Sequence, residues 1–217
     1  MAPTRTSVGA MDASDWDERY SHSELVWGAP PNAVVVEQVT ALNRGRALDL
    51  ACGEGRNALW LATRGWEVTG LDYSAVAIDK ARRVAAEAPR SVRERLDYRV
   101  ADVTESDFDT EYDLVLVIYL HLPPAERRKV VNRAISALKP DGILMILGHD
   151  AVNLSQGVGG PQDPEILFTP EDLTTELNGR VDIDLAERRF RETDAGTAID
   201  ALVVAHRPSL GSRDIGA

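Results

Sequence analysis

The chain has 217 residues, one cysteine, 44% hydrophobic and 27% charged residues, and a formal net charge of −11. A chain of this size suits one domain that buries roughly 70% of its unfolded surface, and one cysteine precludes an internal disulfide. No apolar run approaches the ~18 residues that cross a bilayer, and the acidic balance without a basic stripe argues against a nucleic-acid partner.

In chain order, residues 1–11 are expected to be disordered and carry no apolar core of a secretory signal, so the expected compartment is the cytoplasm. Residues 12–23 are polar with Trp16 and Tyr20, which predicts a short helix and a loop. Pro30-Pro31 is read as opening a second helix, with Val34, Val35, Val39 and Leu42 at helical spacing. Residues 12–45 then form a helical lid on a domain spanning 12–207. Strand one, 46–51, leads into a helix through Leu59 and Leu61 that Gly65 stops. Strand two ends at Asp72, and Ser74 caps a helix with Ile78, Ala81, Val84 and Ala85 on one face, closed by Pro89. Strand three covers 96–101 and is followed by Asp102. Strand four, 113–119, is a nearly unbroken apolar run, as suits a parallel strand buried on both faces. Pro123-Pro124 opens the next helix, whose inner face carries Val130, Val131, Ala134, Ile135 and Leu138. Pro140-Asp141-Gly142 turns into strand five, 143–148. Residues 153–164 lack periodicity and read as a loop, and Thr169-Pro170-Glu171-Asp172 reads as a capped helix start. Two last strands, 181–190 and 198–205, flank Asp194-Ala195-Gly196 as an antiparallel hairpin, and 208–217 is expected to be a disordered tail. The pattern is α/β: a Rossmann-like, doubly wound sheet of seven strands with an antiparallel C-terminal hairpin.

The chemistry centres on residues 47–57, where a strand breaks into a glycine loop and opens a helix, with Asp72 ending the next strand. This is the layout of a nucleotide-type cofactor site, in which an acidic residue on strand two takes a ribose diol. Residues 53–58 formally satisfy the dinucleotide pattern G-x-G-x-x-G/A. In that pattern a helix N-terminus holds a dianionic pyrophosphate, which Asp49 and Glu54 would oppose in a water-poor site. S-adenosylmethionine carries no phosphate and has cationic sulfonium and ammonium groups, so it suits an acidic strand tip better. An NAD(P)-dependent reductase remains the first alternative, although no Tyr-x-x-x-Lys pattern is present. A non-catalytic S-adenosylmethionine-binding module is the second. Cys52 has no visible charge partner and reads as a small packing residue of the loop.

The order Asp49-x-Ala51-x-Gly53-x-Gly55 resembles motif I of the class I S-adenosylmethionine-dependent methyltransferases, with Ala51 at the place of the first glycine. The terminal hairpin also resembles the end of that fold. Trp16-Asp17-x-x-Tyr20, the Gly55-Arg56-Asn57 continuation and 168–173 are similar to the small-molecule subgroup of tellurite-resistance and thiopurine methyltransferases. The tellurite-resistance pattern of His-Arg near the last hairpin turn meets Arg191-Glu192-Thr193-Asp194-Ala195-Gly196 here, without histidine, which argues against tellurite as substrate. With ligands expected beyond the carboxyl ends of the strands, the resemblance implies S-adenosyl-L-methionine as cofactor and S-adenosyl-L-homocysteine as product. It sets Asp49, Ala51, Cys52, Gly53 and Gly55 around the methionine moiety, Asp72 on the ribose with Tyr73 and Ser74 beside it, and Asp102 and Val103 at the adenine. Arg56 is either a partner for the cofactor carboxylate or a surface arginine; Asn57, Ile118 and Tyr119 complete the lining. Tyr20 and Trp27 either cover cofactor and acceptor as part of the lid or anchor the helix. Tyr119, His121 and His149 stand nearest the transferred methyl, the histidines being either general bases or ordinary loop residues. No metal-ligating set is read. After strand four the chain has His121-Leu122-Pro123-Pro124-Ala125, not the Asn/Asp-Pro-Pro-Tyr/Phe of enzymes that methylate base or glutamine amines. The expected acceptor is a small thiol, chalcogen or hydroxyl compound, and the protein is expected to be a monomer or homodimer with no nucleic-acid or membrane partner.

Overall fold

The computed structural model describes residues 13–22 and 30–209. The expectations for 1–11, for Trp27 and for the tail beyond 209 lie outside the described residues. The first helix, α1 (Ala13–Ser21), is followed by α2 (Ala33–Val39), β1 (Arg46–Leu50), α3 (Arg56–Thr63), β2 (Glu67–Asp72) and α4 (Ala75–Ala86). A short α5 (Arg90–Arg93) precedes β3 (Leu96–Val100), β4 (Tyr112–Ile118), α6 (Pro124–Ala137) and β5 (Leu138–His149). Then come α7 (Asn153–Gln156), α8 (Pro170–Leu177), β6 (Asp182–Thr193) and β7 (Gly196–His206).

The seven strands form one sheet in the order β3-β2-β1-β4-β5-β7-β6. Strands β1 to β5 are parallel, and β7 runs antiparallel to both β5 and β6. The order reverses between β1 and β4, so the crevice beyond their carboxyl ends is the topological switch point where ligands bind in such sheets.

The central strands are apolar on both faces because helices cover both. Val115 and Val117 point to a core shared with Val130, Val131, Leu173 and Leu177 of α6 and α8. Leu114 and Leu116 point the other way, to Val35, Val39, Leu61 and Ile78 of α2, α3 and α4. Period-two alternation in one strand thus feeds two cores.

Several ends differ from the sequence reading. Pro30 and Pro31 lie ahead of α2; its N-cap is Asn32, whose carboxamide oxygen accepts the free N–H groups of Val34 and Val35. Leu138 begins β5 instead of ending α6, and the expected turn at Pro140-Asp141-Gly142 is an irregular stretch within that strand, with Asp141 at φ 62°. The segment read as loop holds α7, anchored by buried Asn153, which accepts from Ile199 N–H and donates to Gly159 O. The hairpin strands extend to the tight turn, longer than predicted. The cap at Thr169 is as expected, a reciprocal capping box with Asp172.

Helices α6 and α8 are tied by a largely buried ion pair, Arg127 Nη2 to Glu176 Oε1 at 2.5 Å, with the guanidinium over the Phe168 ring. Removing one partner of such a pair strands a buried charge. Glu176→Ala is expected to destabilise the fold by about 3 kcal/mol, readable as a lower urea midpoint at unchanged slope.

Candidate active site

Strand β1 ends at Leu50 and the chain climbs through Ala51 (φ 56°), Gly53 (φ 55°) and Gly55 (φ 77°), all left-handed. Ala51 holds this conformation without being glycine, at a cost of about 1–2 kcal/mol. Gly55 is required for a second reason: a Cβ there would lie 2.4 Å from the Tyr98 hydroxyl, which donates to Gly55 O.

Asp72 clamps this loop. Its two carboxylate oxygens accept from Gly53 N–H at 2.8 Å and from Ser74 N–H at 2.9 Å. Burial raises its pKa, and these two bonds counter that without cancelling it. Asp49 is more extreme. It is 1% exposed, and its Oδ2 is sealed without a hydrogen-bond partner. Burial first, then the nearby Asp72 charge, push its pKa up to about 7 against the pull of Arg56 and the Ala58 N–H. Cys52 is buried beside it, and burial pushes its thiol well up, so it is a packing group.

Several residues around the loop also have partners within the fold. Glu54 is buried and pairs with Lys80 of α4 at 3.2 Å, which offsets its charge and leaves Asp49 as the carboxylate that would oppose a pyrophosphate. Lys80 also donates to the Tyr20 carbonyl, and Asp17 of α1 accepts from the Ser74 hydroxyl and Val76 N–H, which docks α1 on α4. Ser74, fully buried, also caps α4 through Ala77 N–H. The buried Asn57 carboxamide accepts from Asn32 N–H and joins α3 to the start of α2. Asp102 is exposed and turns onto Thr104, while Val103 beside it is buried. Tyr73 is half-buried, Tyr20 is buried and Ile118 is buried at the end of β4. Arg56 is half-buried at the start of α3, where it acts electrostatically on both Asp49 and Tyr119.

A second cluster stands at the ends of β4 and β5. Tyr119 (φ 56°) donates its hydroxyl to Asp200 Oδ2 at 2.7 Å. Arg191 Nε reaches the same oxygen at 3.1 Å, and His149 Nδ1 lies 3.2 Å from Oδ1. Burial would raise the Asp200 pKa, but the close His149 ring and bonds from Tyr119 and Arg191 hold it below the usual range. Tyr119 itself is pushed up by burial and the Asp200 charge. His121 stacks between His149 (5.4 Å) and Phe168 (6.1 Å). Its Nε2 accepts from the His149 backbone N–H at 3.0 Å, and burial then the His149 charge lower its pKa to about 3. With that lone pair engaged, the geometry of His121 fits the loop-residue alternative better than the general base. Asp150 is likewise turned onto Val152 N–H and Arg188. Sequence reasoning missed Asp200; the signal was a lone carboxylate in the apolar run 198–205.

Fold and loop together define a class I methyltransferase architecture, with the seven-stranded order and the inserted antiparallel β7. A family model described as "Methyltransferase domain" matches residues 47–142, from β1 into β5. A putative methyltransferase of Bacillus subtilis is 30% identical over 149 residues, covering 66% of this chain and 56% of its own. The chain thus spans about half the length of the curated relatives it matches. Among solved structures, that described for the conversion of a disulfide bond into a thioacetal group during echinomycin biosynthesis aligns with TM-score 0.72 at 20% identity, covering 92% of this chain and 93% of that one. TehB from Haemophilus influenzae aligns with TM-score 0.68 at 17% identity, covering 85% and 64%. Residues 47–142 thus carry a methyltransferase-domain match, within a fold shared with class I S-adenosylmethionine-dependent methyltransferases.

Proposed function

We propose that the protein binds S-adenosylmethionine at the β1–β4 switch point and transfers its methyl group to a small-molecule acceptor. The observation that carries this is Asp49: a sealed carboxylate with an unpartnered oxygen, beside a left-handed loop whose backbone can approach a ligand. Such a group calls for a cationic donor, and the ammonium of the cofactor is one. The residues fit: Asp49 with Gly53 and Gly55 for the methionine end, the remaining lone pairs of Asp72 for the ribose diol, and Val103 with Ile118 as apolar walls. When bound, the cofactor supplies an electrophilic methyl group whose transfer rests mainly on proximity and alignment. The acceptor side, with Tyr119, His149 and Arg191, is compact and polar. That supports a small thiol, chalcogen or hydroxyl compound rather than a nucleic acid, as does the acidic net charge of −11.

Calorimetric titration with S-adenosylmethionine, S-adenosylhomocysteine, NADH and NADPH tests the reading. Micromolar binding, about −8 kcal/mol, is expected for the two adenosyl ligands alone. Asp72→Ala is expected to weaken it by about 30-fold or more. Binding of a nicotinamide cofactor instead would make the chain a reductase.

A further inference from the structure

We infer that Asp200 is a positioning residue that holds the His149 imidazole as the general base for an acceptor arriving as a hydroxyl. The inference rests on the methyltransferase reading and names the acceptor class for the same site. Asp200 and His149 are direct cross-strand partners in the β5–β7 ladder, so their side chains rise from the same face side by side. Asp200 is 1% exposed in the otherwise apolar run 198–205 of β7, where a carboxylate is retained only with partners.

Those partners are unequal. Oδ2 takes Tyr119 and Arg191, while among the described residues Oδ1 faces only His149 Nδ1, at 3.2 Å. Both Oδ1 and Nδ1 are sealed and have no aligned hydrogen bond, so each is the other's available partner. Pairs of this kind tighten when substrate closes the site. A proton on Nδ1 leaves Nε2 as the basic nitrogen, and Nε2 is not among the sealed, unpartnered atoms. The ring is held in place by His121 stacked on one side and by Gly160, where a Cβ would lie 2.8 Å from it. The charged and titratable groups around it are Asp200 of β7, Arg191 of β6, and Tyr119 and His121 after β4. Arg191 and the Tyr119 hydroxyl stabilise the ionised carboxylate, which in turn stabilises an imidazolium.

A thiolate or chalcogen anion would need none of this. A hydroxyl does: its oxygen forms the bond to the methyl carbon as the carbon–sulfur bond breaks with its electron pair going to sulfur, and its proton passes to His149 Nε2.

The test has two arms on the whole chain. In ligand-free protein, ¹⁵N shifts of the His149 ring are expected to show the Nδ1-protonated neutral tautomer, with that preference lost in Asp200→Asn. With S-adenosylmethionine, rates are measured on phenols of graded acidity and on thiophenol, which arrives largely as thiolate. Asp200→Asn and His149→Gln are expected to lower kcat on weakly acidic phenols by about 10²-fold, and on thiophenol by no more than about 3-fold. The acid limb of kcat/KM on phenols is expected to vanish in His149→Gln, which also serves if Asp200→Asn does not fold. The proposal is overturned by an Nε2-protonated ring, by a wild type that methylates thiophenol but no phenol, or by equal losses on both acceptors. If wild type fails to bind S-adenosylmethionine in calorimetry, the methyltransferase reading falls and this proposal with it; normal binding with insensitive phenol rates removes this proposal alone.

Discussion

Asp49→Asn is expected to make the protein more stable at pH 8 and a much poorer ligand binder. Burial and the Asp72 charge raise the Asp49 pKa to about 7 in the folded chain from an ordinary value of 3.8. Between those values the folded state binds more protons than the unfolded state, so stability falls as pH rises from about 4 through about 7 and is flat above. Above pH 7 the ionised carboxylate therefore opposes folding by roughly 2–4 kcal/mol. Asparagine is nearly isosteric, keeps an oxygen for the Ala58 N–H and removes that penalty. The melting temperature at pH 8 is expected to rise by about 5 °C or more, with little change at pH 4. Affinity for S-adenosylmethionine is expected to drop about 30-fold, as when a buried charge pair loses one member. Melting curves at both pH values and one calorimetric titration check this; a variant that is less stable at pH 8 would overturn it. The same ionisation predicts that wild-type affinity weakens as pH falls below about 7, where Asp49 takes up its proton.

Gly55→Ala is expected to be severe, and the reason can be separated into two parts. The residue sits at φ 77°, and the added Cβ would lie 2.4 Å from the hydroxyl and 2.7 Å from the ring carbon of buried Tyr98. Left-handed backbone costs about 1–2 kcal/mol for alanine, and overpacking a filled core adds about 1–3 kcal/mol. Gly159 provides the control: it is also left-handed, at φ 70°, but a Cβ there would meet nothing within 4 Å. Gly159→Ala should show the backbone part alone. Gly55→Ala should lower the melting temperature by on the order of 10 °C and displace the loop that Asp72 clamps, abolishing cofactor binding. Equal effects at the two glycines would refute the steric account.

What could be read from sequence was whatever is settled within a few residues of chain. The glycine loop, the Ser74 cap and the Thr169–Asp172 capping box each pair groups no more than four positions apart, and all are present. The alternation of strands and helices follows from local periodicity in the same way. What could not be read are partnerships across the fold. Glu54 read as a carboxylate opposing a pyrophosphate until Lys80 was brought to it, Asn57 proved to hold Asn32, and His121 gave its lone pair to a backbone N–H of the next strand. Proline at 30 and 31 suggested a helix start, but the Asn32 side chain decides it by satisfying two free N–H groups. Asp200 is the instructive omission, since its meaning depends on the register that sets it opposite His149.

That register separates two kinds of inheritance. α7, α8 and β6 lie between His149 and Asp200 along the chain but not in space, because the β5–β7 ladder alone sets their spacing. Lengthening the glycine-rich stretch near 157–162 would change the loop that lies against the His149 ring while leaving that ladder spacing untouched. A one-residue slip in the ladder would instead send Asp200 to the opposite face. Descendants of this chain can therefore vary in their loops, whereas the His149–Asp200 pair travels only with the sheet.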